Sequence, residues 1–182
     1  MKLIEIDNYE LKVADEALLI RPIRELFEED KTKRKENFYR QMSYMFFMVD
    51  PRSTYQYITD EKSRAEEVKR QEGFDEKWEP SKKLKDAMAQ YASHVITTQS
   101  LLLQDMRKGI DNVRRFLADV DLTKVDEKAG KPIYQVSTIT GALKQVPELA
   151  KALAEAEKAL QKDFEDEGAV RGNKEKSMFE DI

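Results

Sequence analysis

The chain has 182 residues, 37 % of them charged, with 32 basic side chains against 36 acidic ones. A formal net charge of −4 argues against a general nucleic-acid binder, and the lack of cysteine excludes disulfides, thiolate catalysis and cysteine-based metal sites. No apolar run approaches the roughly 18 residues of a membrane span, and no signal-peptide pattern opens the chain, so we expect one soluble domain with a tail, made in the cytoplasm.

The N-terminal segment, residues 1–13, alternates apolar and polar side chains around an Asp-Asn pair. Period-two spacing on both sides of such a pair predicts a short β-hairpin or one extended arm. A lone hairpin is marginally stable in water, so we expect this arm to lie against the rest of the chain. The alternating apolar residues are Ile4, Ile6, Leu11 and Val13.

A helical bundle is predicted over residues 14–120. Pro22 suits the first turn of a helix, and apolar residues recur at helical spacing from there to Val49. The polar gap at 30–37 is either helical or a loop, and we favour one continuous helix. Asp50-Pro51 ends that helix, because the residue before proline leaves the α region.

Two further helices are predicted in the same bundle. Thr59 or Asp60 caps a helix that stops near Gly73. Ser81 begins the longest apolar pattern, which runs to Leu117. If it is one helix it spans about 55 Å, so either the protein is elongated or the helix breaks near Gly109.

The C-terminal third is predicted to be less regular. Residues 121–146 form a polar linker with a strand-like insert at 133–140, Pro147 begins a helix that runs to about residue 165, and 166–182 form a tail. The fold class is therefore mainly α: an elongated helical bundle with a short β-like N-terminal arm and an extended C-terminal tail.

Catalytic motifs are missing from the sequence. It contains no glycine-rich phosphate loop, no nucleophile elbow and no His-Glu-x-x-His motif. His94 is the only histidine and would be the only obvious catalytic candidate. We expect no enzyme activity, no cofactor and no metal.

A small basic cluster is the candidate phosphate contact, and each such contact would steepen the salt dependence of DNA binding. The alternative is a solvated helix face. The cluster comprises Lys31, Lys33, Arg34 and Lys35.

The densest group of aromatic and sulfur side chains lies in SYMFFMVDPRSTYQYI, residues 43–58. Part of it continues the helical stripe, but Tyr44 and Phe47 fall off that stripe. A helix that is apolar on two sides is buried on two sides, either by a neighbouring subunit or by the corner at 55–58. The candidate subunit interface comprises Tyr44, Phe47, Met48, Tyr55 and Tyr57.

The C-terminal residues contain apolar side chains on a polar tether. Such anchors suit docking into a groove of a neighbouring protein, and the alternative is a frayed end. The candidate docking residues are Met178, Phe179 and Ile182.

Three stretches resemble small virion structural proteins of tailed bacteriophages, particularly the crAss-like phages. They are YRQMSYMFFMVDPRSTYQYITDEKSRAEEVKRQEGF (39–74), KPIYQVSTITGALKQVPELAKALAEAEKAL (131–160) and GNKEKSMFEDI (172–182). The resemblance implies a head-to-tail connector, a ring or adaptor protein below the portal. Such proteins are typically helical bundles with an extended arm and a C-terminal segment that docks into the portal.

The resemblance also implies partners and a location. The chain would contact copies of itself in a ring, the portal and neighbouring tail or ring proteins. Double-stranded DNA would pass through the channel without specific binding, no membrane would be involved, and the protein would reside in the virion. The alternatives are an auxiliary capsid or cargo protein, or a nucleic-acid-associated phage protein that uses the basic cluster.

Overall fold

A computed structural model describes residues 3–7, 10–125 and 132–172, with the backbone alone described at residue 7 and at 165–172. The prediction of a mainly helical chain with short N-terminal strands is confirmed. The strands and α-helices are β1 (Ile4–Asp7), β2 (Glu10–Val13), α1 (Arg21–Glu29), α2 (Glu36–Val49), α3 (Glu61–Gln71), α4 (Lys82–Val95), α5 (Thr98–Asp119) and α6 (Val136–Gly172).

The N-terminal arm is a hairpin. β1 and β2 pair antiparallel, with Ile4 opposite Val13 and Ile6 opposite Leu11. Leu3 and Ile4 are buried in the hydrophobic core, and Val13 packs against it. The hairpin thus gains from the helices the stability that an isolated two-stranded sheet lacks.

The described residues fall into two units. The first contains the chain up to Thr98 together with α6 from Phe164 onward, and the second spans Gln99–Asp163. The single bundle predicted over 14–120 is therefore divided after Thr98. The core of the first unit forms where α1, α2, α3 and α4 bring their apolar stripes together. Its fully buried side chains include Ile23, Phe38, Met42, Met45, Val68, Leu84 and Tyr91.

The prediction that helix continues through residues 30–37 is wrong for residues 30–35. The Asp30 carboxylate accepts hydrogen bonds from the backbone N–H of Thr32 (2.9 Å) and of Phe38 (2.8 Å). A short acidic side chain that bonds nearby backbone groups competes with helix formation. Lys35, at φ 55°, takes the left-handed conformation immediately before α2. Phe27 and Phe38 still meet across the turn, with ring centroids 5.1 Å apart.

The helix ends predicted at 50–81 agree with the structure. Asp50-Pro51 follows α2, and the Asp60 carboxylate caps α3 by accepting from the Ser63 N–H. Gly73 has φ +68° two residues beyond α3, which is a backbone conformation that glycine adopts without strain. Ser81 caps α4 through its hydroxyl oxygen, which accepts from the Leu84 N–H.

The long helix predicted from Ser81 breaks at 96–97 and not near Gly109, which lies inside α5. The break falls within a run of four β-branched residues, Val95 to Thr98, whose side chains have low helix propensity.

The strand-like insert predicted at 133–140 is wrong. α6 begins at Val136, and Pro147 lies inside it, so the predicted linker bounds of 121–146 and the helix start at Pro147 are both displaced. The Thr140 hydroxyl donates to the Val136 carbonyl one turn earlier, which satisfies a threonine within helix. α6 also runs past residue 165 to Gly172, into the segment predicted as tail. Residues 173–182 lie outside the described residues.

Candidate assembly surface

Tyr44 and Met48 of the predicted subunit interface are buried inside their own chain, at 3 % and 7 % exposure. The ring of Tyr44 meets Phe74 at 5.5 Å and Trp78 at 4.8 Å, both in edge-on geometry. Burial, with smaller contributions from Glu79 and Glu61, raises the pKa of the Tyr44 phenol. The segment after α3 thus covers the second apolar side of α2, and these two residues are not free for a neighbour.

Phe47 and Tyr55 are half-buried and contact each other, with ring centroids 5.1 Å apart. The Tyr55 hydroxyl donates to Glu72 Oε1 at 2.9 Å. Burial and this carboxylate raise the pKa of Tyr55 to about 12. The corner at 55–58 therefore covers Phe47, which was the alternative to a subunit contact. Tyr57, 65 % exposed, is the one exposed member of the predicted set.

Asp50, Arg52 and Tyr91 form a buried polar network that the sequence patterns did not predict. Asp50 is fully buried, and its carboxylate accepts from Arg52 Nε (2.8 Å) and from the Tyr91 hydroxyl (2.6 Å). Arg52 also donates to the Ile4 carbonyl at 2.7 Å. Burial, followed by the Asp50 charge and hydrogen bond, raises the pKa of Tyr91. The network joins β1, the end of α2 and α4, which is a structural role.

The basic cluster is partly engaged in helix termination. Lys35 Nζ donates to the Phe27 carbonyl (2.9 Å) and the Asp30 carbonyl (2.7 Å), at the C-terminal end of α1. Lys31 Nζ donates to the Glu28 carbonyl (2.8 Å). Cations at the C-terminus of a helix satisfy its last carbonyls and its dipole. Lys33 and Arg34 are exposed, so two of the four predicted phosphate contacts have a structural task.

Asp30 lies at the centre of the same turn and is 7 % exposed. Burial acts to raise its pKa, but the hydrogen bonds from Thr32 and Phe38 and the charge of Lys35 outweigh it and lower the pKa to about 2. The carboxylate therefore stays ionised, and its hydrogen bonds hold the turn between α1 and α2.

His94 lies exposed in the last turn of α4. In the described part of the chain, no group of three or more His, Cys, Asp or Glu side chains is placed to hold a metal ion. Across those same residues, no helix is both long and apolar enough to cross a membrane.

The second unit exposes apolar side chains from α5, from the connecting segment and from α6. Ten large apolar residues in it are between 37 % and 67 % exposed, whereas Ser100, Leu103 and Leu160 are the buried residues among those described there. We call the ten residues the α5–α6 surface: Leu101, Leu102, Phe116, Leu122, Val125, Ile133, Val136, Leu143, Val146 and Leu149.

The two helices of this unit contact each other through few side chains. Arg107 of α5 donates to Glu157 Oε1 of α6 at 2.7 Å, and Phe116 of α5 meets Tyr134, which precedes α6, with ring centroids 5.8 Å apart. Two helices in contact share one seam, and each has a stripe too wide for that seam to cover. The sequence predicted the apolar stripes of α5 and α6. It did not predict that they are exposed, because that depends on how many other elements pack against the two helices. The predicted docking residues Met178, Phe179 and Ile182 lie outside the described residues.

No protein-family model, curated protein or solved structure matches this chain.

Proposed function

We propose that this chain is a non-enzymatic structural protein that assembles with copies of itself, as a head-to-tail connector in the virion of a tailed phage. The α5–α6 surface supports the assembly part of this proposal. The resemblance of residues 39–74 and 131–160 to virion proteins supports the phage part. Such a protein has a structural role, since it acts by packing the surface of one copy against the next copy.

The size of the α5–α6 surface is the observation that carries the proposal. Fully burying a Val, Leu, Ile or Phe side chain contributes about 1.5–3 kcal/mol, so ten half-exposed ones offer on the order of 10 kcal/mol. Association itself costs roughly 4–15 kcal/mol. A heterologous pair would bury only part of this surface on each copy, whereas a closed ring, in which each copy makes two contacts, can bury all of it.

Ring closure also fits the asymmetry of the surface. In a cyclic assembly each contact is heterologous, so one patch of a copy meets a different patch of the next. Here α5 and α6 offer two different apolar stripes. The charges around them are mixed in sign, as in the Arg107–Glu157 and Arg114–Asp111 pairs, so no single-sign field opposes the approach of a second copy.

The nucleic-acid-associated alternative has less support. With Lys35 engaged at the end of α1, the cluster retains Lys31, Lys33 and Arg34 as its exposed cations. Three phosphate contacts release few counterions, so DNA binding by this cluster would be weak and only shallowly salt-dependent.

Mass photometry of the purified chain, alone and with the portal-vertex fraction of lysed virions, tests the proposal. We expect the mass of the portal particles to increase by an integral multiple of the 21.3 kDa chain when the chain is added. Leu102→Glu/Leu143→Glu, which places two charges on the α5–α6 surface, should fail to join such particles. A chain that remains monomeric and unattached in both conditions would contradict the connector proposal.

A further inference from the structure

A groove of about 670 Å³ lies within the first unit, between the 30–32 turn, α2 and the segment after α3. We call it the Trp78 groove. Phe74 and Trp78 supply its aromatic lining, with ring centroids 4.6 Å apart. Its volume lies within the roughly 300–1,000 Å³ of typical ligand pockets, and it is lined by both apolar and charged groups.

Gln41 lines this groove, and its Oε1 is buried without a hydrogen-bond partner among the described residues. A buried acceptor without a donor is energetically unfavourable. An N–H group of an extended peptide in the groove would satisfy it. Asn37, exposed in the same lining, offers a further donor and acceptor for a peptide backbone.

The groove is lined by two acidic and two basic side chains, and the basic ones keep free donors while the carboxylates already have partners. Both oxygens of its Asp30 already accept hydrogen bonds from Thr32 and Phe38, and Glu29 is paired with Lys83. Arg40 uses one N–H on the Gly73 carbonyl and lies over the Phe74 ring, which leaves further donors. Lys31 likewise uses one of its three N–H groups.

We propose that residues 178–182 of this chain, Met-Phe-Glu-Asp-Ile, bind in the Trp78 groove. Met178 and Phe179 would pack on Phe74 and Trp78, because thioethers and aromatic rings both favour aromatic partners. Glu180 and Asp181 would then meet the cations of the groove. An apolar pair followed by two acids matches an aromatic lining beside Arg40 and Lys31 in both polarity and charge.

The tether is long enough for the segment to leave the end of its own helix. Five residues, 173–177, separate Gly172 from Met178, and an extended chain between those two residues reaches up to about 20 Å. The groove therefore gives the segment a receptor within this chain or a copy of it, in addition to the portal that the virion resemblance implies. The proposal does not depend on ring formation.

Trp78 reports directly on this groove because it is the only tryptophan of the chain. The full-length parent is compared with Met178→Ser/Phe179→Ser by tryptophan emission and acrylamide quenching. We expect the variant to emit at longer wavelength and to be quenched more strongly. The matched control, Lys174→Ser/Lys176→Ser, alters the same segment without its anchors and should behave as the parent does.

Two additions make the test decisive. A synthetic peptide of residues 174–182, added in excess to the M178S/F179S variant, should restore the parent's emission, while a scrambled peptide should not. A photo-crosslinker at position 179 should attach to residues 74–78. A crosslinking yield that rises with protein concentration would show that the segment binds the groove of a neighbouring copy. A yield that does not change with concentration would show that it binds the groove of its own chain. Both results support the groove as the receptor.

The proposal is overturned if parent, variant and peptide-supplemented variant show the same emission and quenching, or if position 179 crosslinks elsewhere. Neither result would bear on self-assembly, which the mass measurement tests separately.

Discussion

At the scale of single residues, the carboxylates Asp50 and Asp30 fix the geometry on which the first unit depends. Asp50 joins three elements from a fully buried position, and Asp30 closes the turn between α1 and α2. Both interactions are charge-assisted, and such hydrogen bonds are stronger than neutral ones.

Asp50→Asn should lower the free energy of unfolding by on the order of 3 kcal/mol, because Arg52 then loses its charge partner in a largely buried site. Tyr91→Phe removes only one hydroxyl from the same network and should cost about 1 kcal/mol. Urea unfolding of the two variants, with Asp86→Asn as an exposed control, measures the difference. The assignment of Asp50 as the centre of the network is wrong if D50N costs no more than Y91F.

Asp30 predicts a specific acid dependence of stability. Its folded pKa of about 2 lies below the ordinary 3.8, so on acidification the unfolded chain takes up the proton first. The stabilisation from this group is complete above about pH 5 and is lost as the pH falls towards 2. The free energies of unfolding of the parent and of Asp30→Asn should therefore differ near neutrality and converge in acid.

Urea midpoints at a series of pH values measure this convergence. Glu16→Gln, which alters an exposed carboxyl in the 3₁₀ helix before α1, serves as the control and should run parallel to the parent. A gap between parent and D30N that stays constant with pH would contradict the role given to Asp30.

At the scale of elements, two glycines have opposite roles. Gly109 lies inside α5 with no atom within 4 Å of an added Cβ, whereas Gly73 holds φ +68° after α3. Gly109→Ala should stabilise α5 by about 1 kcal/mol through helix propensity. Gly73→Ala should destabilise the first unit by roughly 1–2 kcal/mol, because an L-residue is strained in the left-handed region.

Hydrogen exchange of the α5 amides and thermal unfolding follow these two changes. The helix boundaries in this region would be in doubt if G109A slowed no exchange in α5, or if G73A left the melting temperature unchanged.

Some elements could be predicted from the local sequence, and others could not. The β-like arm, a cap at Thr59 or Asp60, a helix start near Ser81 and the stop at Asp50-Pro51 depend on local chemistry, and local pattern predicted them. The break at Val95–Thr97 and the helical start of α6 were missed, because β-branched residues disrupt a helix at one place and are accepted into it at the other. Whether such residues break a helix or lie within it depends on tertiary packing, which a local sequence pattern does not show.

The candidate sites show the same limit. The aromatic group at 44–57 was visible in the sequence, but its cover by Phe74 and Trp78 comes from a segment some thirty residues later. Helical spacing likewise revealed the stripes of α5 and α6 without showing that so little of the chain packs on them. Burial depends on how the elements pack, so the surface that we propose for assembly lies in the second unit and not on α2.

At the scale of the whole molecule, we propose that another copy of the chain covers the α5–α6 surface. Leu102→Glu/Leu143→Glu places two charges on its α5 and α6 parts, at side chains that are 60 % and 53 % exposed. Burying a charge without a partner is costly, so association should be lost while the fold, in which neither side chain is buried, persists. Asn112→Glu/Gln145→Glu adds the same charge at other exposed positions of the two helices and is the matched control.

Sedimentation equilibrium of these three proteins over a wide concentration range is the most direct measurement, with circular dichroism to verify equal helix content. We predict that the parent and N112E/Q145E associate with rising concentration and that L102E/L143E remains a monomer. Identical masses for the parent and L102E/L143E at every concentration would contradict the account.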